Sequence, residues 1–166
     1  MLDLVFGGVL CFISTYVGIT VKQYYDKRYY YLRDFREFAI ALEDNLTYAK
    51  DNISTVADKY LQNNKGGFAK CLEEYSDEIK LGNKSDETTD GIFNAKYLKK
   101  GERNFIKDFF RTLGTLDYES QLSRIKLTLK ESEHLSEKAL KDSKTTGVMF
   151  SKLGLLIGIA LMIILA

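Results

Sequence analysis

Apolar residues crowd the two ends of the chain and recur at helical spacing between them. The stretch Leu153 to Ala166 carries no charge and no strong polar group. Extended back to Gly147 it is interrupted only by Ser151 and Lys152. At about 1.5 Å per residue it matches a hydrocarbon core ~30 Å thick. Lys152 lies near one end, where its stem reaches the headgroups. Leu2 to Val21 form a second run whose one charge is Asp3. Its leading flank is acidic, and no small-residue cleavage site follows, so it reads as an uncleaved anchor rather than a secretory signal. The pattern predicts transmembrane helices over residues 2–21 and 147–166. The C-terminal run alone also fits a buried helix of a soluble core, but the presence of a second such run argues against that.

Between the anchors, Leu32, Phe35, Ala39, Leu42, Leu46 and Ala49 repeat at steps of three and four. That seam predicts one long helix running out of the first span to about Lys50. Asp51 to Ser54 break it, with Asn52 or Ser54 placed to cap a second helix bearing Val56, Ala57, Tyr60 and Leu61. Asn63 to Gly67 end that helix, glycine serving a left-handed turn. Phe68, Leu72, Tyr75 and Ile79 mark a third helix whose other face carries Glu73, Glu74, Asp77 and Glu78. A short helix over Thr89–Leu98 is expected to stop before Lys99-Lys100-Gly101. Phe105 to Leu113 form an apolar helix closed by Gly114, and a last helix starts near Asp117. Its stripe of Leu122, Ile125 and Leu129 thins to Ser132, Ser136, Ala139 and Ser143, which predicts either little packing or very close packing. The fold class is all-α: a cytoplasmic antiparallel helical bundle, residues 22–146, flanked by an N-terminal and a C-terminal transmembrane helix.

Charge settles the orientation. Lys22, Lys27, Arg28 and Arg33 follow the first span, and Lys138, Lys141, Lys144 and Lys152 precede or enter the second. The positive-inside rule then puts the middle domain in the cytoplasm. Tyr24, Tyr25, Tyr29, Tyr30 and Tyr31 fit an interfacial aromatic belt. Of the 24 basic and 23 acidic residues, only Lys152 and Asp3 fall in the anchors. So balanced a domain gives no footprint for nucleic acid. Cys11 and Cys71 are too far apart in kind of environment for a disulfide, in keeping with a reducing compartment. The sequons at Asn45, Asn52 and Asn83 are chance matches if the domain is cytoplasmic. The chain has no proline, which favours long helices.

No phosphate-binding loop and no dinucleotide fingerprint is present. The single histidine, His134, stands among Glu131, Glu133 and Glu137 and reads as a solvated surface residue rather than a metal ligand or base. Two separated cysteines make no zinc pattern. The run Glu73 to Glu78 reads first as the wet face of an amphipathic helix and second as a docking surface for a basic partner. Within the anchors, Gly154-x-x-x-Gly158, Gly7-Cys11-Thr15 and Ser14-Gly18 are small-residue patterns that let helix backbones approach, though such patterns are common in apolar segments. No cofactor, metal or catalytic residue is assigned, and an enzyme is not expected.

Leu113-Gly114-Thr115-Leu116-Asp117-Tyr118-Glu119-Ser120-Gln121, then Ile125, then Lys152-Leu153-Gly154 before an apolar tail, resemble the stage III sporulation protein AB family. That family has an L-G-x-S-D-x-x-x-Q run and an L-G-containing terminal anchor. Ser14, Gly18, Arg28, Leu32, Leu42, Glu43 and Tyr48 extend the resemblance at the other end, while residues 55–105 follow it only in outline. Leu116 replaces the family's serine, so Thr115 or Asp117 must cap the last helix. Asn45 replaces a glutamate, and Asn52-Ile53-Ser54 replaces a Thr-Pro turn.

The resemblance implies a protein of the mother-cell membrane in endospore formers. Its soluble part would be similar to the cytoplasmic helical domain of platform proteins in type II secretion and type IV pilus machines. It implies a secretion-type ATPase and channel-complex membrane subunits as partners, besides membrane lipid and a second copy of the chain. Glu43, Glu73, Glu74, Asp77 and Glu78 are the candidate docking residues. The alternatives are a membrane-tethered regulatory or signalling adaptor unrelated to secretion, and an enzyme acting on lipid at the cytoplasmic face.

Overall fold

With no proline to stop it, the first helix runs for most of a third of the chain. A computed structural model describes residues 2–49, 51–83 and 85–165, excluding the side chains of residues 2–5 and 165. The expected end near Lys50, the centre of the Asn83 sequon and the final Ala166 lie outside the described residues, as does the Asp3 side chain. Every described element is helical: α1 Leu2–Tyr48, α2 Ile53–Asn63, α3 Gly67–Lys80, α4 Asp86–Ile92, α5 Lys100–Thr112, α6 Tyr118–Asp142 and α7 Val148–Leu165. A π turn, Ser143–Gly147, joins α6 to α7. The chain divides into two units. One comprises residues 1–29 with 138–166, the other residues 30–137.

The second unit is built on aromatic rings. Phe35 and Phe38 of α1, Phe68 of α3, Phe93, and Phe109 and Phe110 of α5 are fully buried. Phe93 and Phe110 stack with centroids 4.0 Å apart, and Phe38 stacks on Phe110 at 5.9 Å. Phe35 meets Phe68 and Phe109 edge-on. Tyr75 meets Phe110 edge-on at 4.8 Å, and its hydroxyl donates to the Phe110 carbonyl at 2.9 Å. That bond satisfies the one polar atom the ring brings into the core. The helical seam on α1 is as expected at Leu32, Phe35, Ala39 and Leu42, but it is wider, because Phe38 joins it.

Several expectations change. Tyr31 is no belt residue: it is buried, edge-on to Phe68 and Tyr97. The short helix is Asp86–Ile92 rather than Thr89–Leu98. It starts early because the Ser85 hydroxyl accepts the Thr88 N–H. Leu98 is buried, but in the turn before α5. Gly101 does not break the chain. It lies within α5, whose start is held by the buried Glu102 carboxylate accepting the Lys99 N–H at 2.9 Å. Gly66 is extended, with φ −174°, so the turn before α3 is not left-handed. Asn52 precedes α2 without a side-chain cap bond. The left-handed glycines are Gly82 and Gly114.

The Gly114 turn shows what the L-G-x-x-D-x-x-x-Q residues do. Leu113 anchors the turn in the core, and Gly114 reverses the chain at φ +81°. A Cβ at Gly114 would stand 2.9 Å from Ile53 Cδ1. The buried Gln121 returns its Oε1 to the Gly114 N–H at 3.0 Å, and Asp117 Oδ1 accepts the Ser120 N–H at 3.1 Å. Asp117 thus caps α6, as the missing serine required. Its bonds from Ser120 hold its carboxyl below the ordinary carboxylate range.

Phe110→Ala should lower the unfolding free energy by about 3–5 kcal/mol, read by urea titration of far-UV dichroism. The Asp117 cap should show in pH. With a depressed folded pKa, its contribution is fully present above the ordinary value of ~3.9 and is lost as pH falls through the depressed one. The gap in thermal midpoint between wild type and Asp117→Ala should therefore hold from neutrality to about pH 4 and close below it.

Candidate functional site

Of the candidate acidic residues, Glu73, Glu74 and Asp77 are exposed on α3, and Glu78 is half-buried beside them. A surface groove between α2 and α3, lined by Asp58, Leu61, Gln62, Glu73, Asp77 and Lys80, adds the Asp58 carboxylate to this face. Lys80 bonds Asp58 at 2.9 Å and lies 3.9 Å from Asp77. The bond to Asp58, opposed slightly by burial, raises the Lys80 pKa. Glu73 and Glu74 have no ion pair among the described residues. Glu43 is half-buried on α1, and no described bond joins its carboxylate to the α3 face. His134 is exposed, and among the described residues no cluster of His, Cys, Asp and Glu is arranged to hold a metal ion.

The first unit carries a different feature. The N-terminal half of α1 and α7 run antiparallel with their backbones in near contact. A Cβ on Gly154 would lie 2.7 Å from the Ser14 carbonyl oxygen and 3.0 Å from Gly18 Cα. One on Gly158 would lie 3.0 Å from Cys11 Cα, and one on Gly7 would lie 3.3 Å from Met162 Cα. A Cβ 2.7 Å from a backbone oxygen does not fit unless a backbone moves, and those at 3.0–3.3 Å need the facing backbone to give by a few tenths of an ångström. Ser14 Oγ donates to the Gly154 carbonyl at 2.8 Å, the kind of interhelical bond that fixes register in an apolar pair. Large apolar side chains point outward, with Phe12 82% and Ile163 71% exposed.

Where these helices turn polar, charges meet in pairs, and one of them is buried. Arg28 is 1% exposed, and its Nη1 donates to Asp142 Oδ2 at 2.7 Å. Asp26 accepts from Lys22 Nζ and from Ser143 Oγ, both at 2.5 Å. Burial works against the Asp26 charge, but these two donors outweigh it and hold its pKa below the ordinary range. In the sequence Arg28 and Lys22 stand among the cations that follow the first span. The hint of a partner was Asp142, the one acid in the lysine-rich run from Lys138 to Lys152.

The π turn sets the register of α7. Ala139, Ser143, Gly147, Gly154 and Gly158 are all buried. Two successive steps of four, 139 to 143 to 147, would carry an α-helical stripe about 80° around the axis. The π turn, closed by the Val148 N–H on the Ser143 carbonyl, takes up an extra residue and brings the stripe back. Gly147 then packs with its Cβ position 3.4 Å from Tyr25 Cβ.

In the other unit, the seam of α6 that reads as thinning is in fact closely packed. Gln121, Ile125, Thr128, Ser132 and Ser136 are all buried. Their hydroxyls bond carbonyls of their own helix: Thr128 to Arg124, Ser132 to Leu129 and Ser136 to Glu133. Self-bonded hydroxyls need no partner from elsewhere, so a polar stripe can be buried. Arg36 to Glu133 at 2.7 Å and Tyr118 Oη to the Leu46 carbonyl at 3.2 Å tie α1 to α6 within this unit.

The sequence model of the stage III sporulation protein AB family matches residues 3–166. The chain belongs to the stage III sporulation protein AB family. Among curated relatives, the stage III sporulation protein AB of Bacillus subtilis (strain 168) is 25% identical over 170 residues, covering 99% of each chain. No solved structure matches the chain. Family membership supports a sporulation-related role. Among the described residues one helical run, Tyr118–Ile164, is long and apolar enough to cross a membrane, which supports membrane association. A second such helix over the expected 2–21 span is not found among the described residues.

Either Gly154→Leu or deletion of Thr146 should separate the helix pair, the first by a clash and the second by turning α7 about 100°. Spin labels at Val17 and Ile157, in a background without native cysteines, should report a longer, broader distance in both variants than in the parent.

Proposed function

We propose that the chain is a non-enzymatic platform subunit of a sporulation-specific, secretion-like channel complex. The residue 30–137 unit docks a secretion-type ATPase in the cytoplasm, and the α1–α7 pair spans the mother-cell membrane and holds the channel subunits. The observation that carries this reading is the glycine-sealed, antiparallel helix pair with its large apolar side chains turned outward. Such a pair satisfies its backbone internally and suits a hydrocarbon surround. Residues 2–21 are then the first span, although hydropathy singles out only the C-terminal helix. The lysines beyond both helices support a cytoplasmic setting for the intervening unit.

Anchoring at both ends of the intervening unit suits a part that passes force between a motor and the membrane. The exposed carboxylates Glu73, Glu74 and Asp77 on a firmly packed helix supply a fixed electrostatic face. Docking would be read there by charge complementarity, which sets orientation and encounter rate.

The test is co-purification, from membranes, of full-length protein with the secretion-type ATPase encoded beside it. Wild type should recover the ATPase, and Glu73→Lys/Glu74→Lys/Asp77→Lys should lose most of it with unchanged helicity. Full recovery by a folded triple variant removes this face. Absence of recovery by wild type favours the regulatory adaptor instead.

A further inference from the structure

We infer that the first unit carries a cationic collar selective for anionic phospholipid headgroups, formed by Lys27, Lys138, Lys141 and Lys144. The inference rests on the reading of α1 and α7 as membrane spans, and it goes further by naming the lipid class and the residues. Only two carboxylates, Asp26 and Asp142, lie in the polar stretches of this unit, residues 22–29 and 138–152. Both are consumed internally. Asp142 is paired with the buried Arg28, and Asp26 takes Lys22 and Ser143. Arg28 is thereby withdrawn from the surface, and the half-exposed Lys22 is neutralised by its own acid.

What remains exposed is of one sign. Lys27, Lys138, Lys141 and Lys144 are exposed and have no ion-pair partner among the described residues. Lys138, Lys141 and Lys144 recur every third residue up to the π turn. Carboxylates resume on α6 only at Glu137. Along the helix, Lys144 and Lys138 precede Gly147 by roughly 5 and 13 Å. That is the depth of a headgroup layer, allowing for the lysine stem and a Debye length of ~8 Å. Tyr24, 48% exposed and edge-on to Tyr25, puts an amphipathic ring in the same unit. A single-sign collar at that depth matches anionic lipid, with roughly fivefold preference expected per lysine near the surface.

Full-length protein would be reconstituted in nanodiscs of phosphatidylcholine with a minority of phosphatidylglycerol, and the lipid retained on purification counted by mass spectrometry. Wild type should retain phosphatidylglycerol severalfold above its bulk share, and the excess should fall as salt is raised. Lys27→Gln/Lys138→Gln/Lys141→Gln/Lys144→Gln should return it to the bulk share. Lys65→Gln/Lys70→Gln/Lys126→Gln/Lys130→Gln, altering exposed lysines of the other unit, should not. Retention at the bulk share by wild type, or enrichment equal in both quadruple variants, overturns the collar. Flotation with pure phosphatidylcholine vesicles after alkaline extraction separates the two readings. Protein that floats without lipid preference loses only the collar, and protein that does not float loses the membrane reading and the collar together.

Discussion

A backbone that comes within one Cβ of another backbone dictates much about its surroundings. Gly154 meets Ser14 and Gly18, and Gly158 meets Cys11, so closely that a side chain at Gly154 would part the helices and one at Gly158 would press on the facing backbone. Small residues therefore face inward on both helices at these contacts, and most large apolar side chains of the pair are exposed. That leaves a two-helix body whose interior is backbone and whose exterior is aliphatic and aromatic. Contact of this kind gains little from the hydrophobic effect in lipid and depends on fit. Fit in turn depends on register, and register is set by the π turn and by Ser14 on the Gly154 carbonyl.

Polar groups hold each unit in a way that matches its setting. In the first unit, the buried Arg28 is paired with the half-buried Asp142, and removing that carboxylate would take a counter-charge from a buried cation. Such a loss is far costlier than the net worth of the pair. In the second unit, α6 buries Thr128, Ser132 and Ser136, whose hydroxyls bond their own helix. The core of this unit also holds a cluster of aromatic rings, with Phe110 touching Phe38, Phe68, Phe93 and Tyr75. Rings of that size bury large areas with few rotamers to freeze, which suits a bundle whose helices α2 to α5 are short.

Much of this was legible in the residues, and the misses have physical causes. The long first helix, the Phe68–Leu72–Tyr75 stripe, the Gly114 stop and the Asp117 cap follow from periodicity and backbone chemistry. Helix existence is strongly encoded where apolar spacing is regular. Gly101 and the glycines at 66–67 misled because glycine tolerates a turn without demanding one. Tyr31 was misplaced because five tyrosines share a short stretch, and only tertiary packing separates the buried one from its neighbours. In the sequence the Ser132 and Ser136 seam stays open between little packing and very close packing, because hydropathy does not register hydroxyls that satisfy themselves. The Arg28–Asp142 pair spans a separation that no local pattern reports. The acidic face was legible as a face, but the chain alone does not tie Glu43 to it, and the structure shows no bond that does.

The glycine-sealed pair is the feature on which anchoring, register and the proposed role all rest. Solid-state NMR of full-length protein in lipid bilayers, with glycine labelled at Cα and phenylalanine in the ring, reads it without any substitution. Backbone contact requires a cross-peak between Gly18 Cα and Gly154 Cα at short mixing time, as near as these helices stand here. Absence of that cross-peak, in a sample where the Phe93–Phe110 ring contact persists, would mean that the helices part in lipid and that the seam is not what holds the anchor.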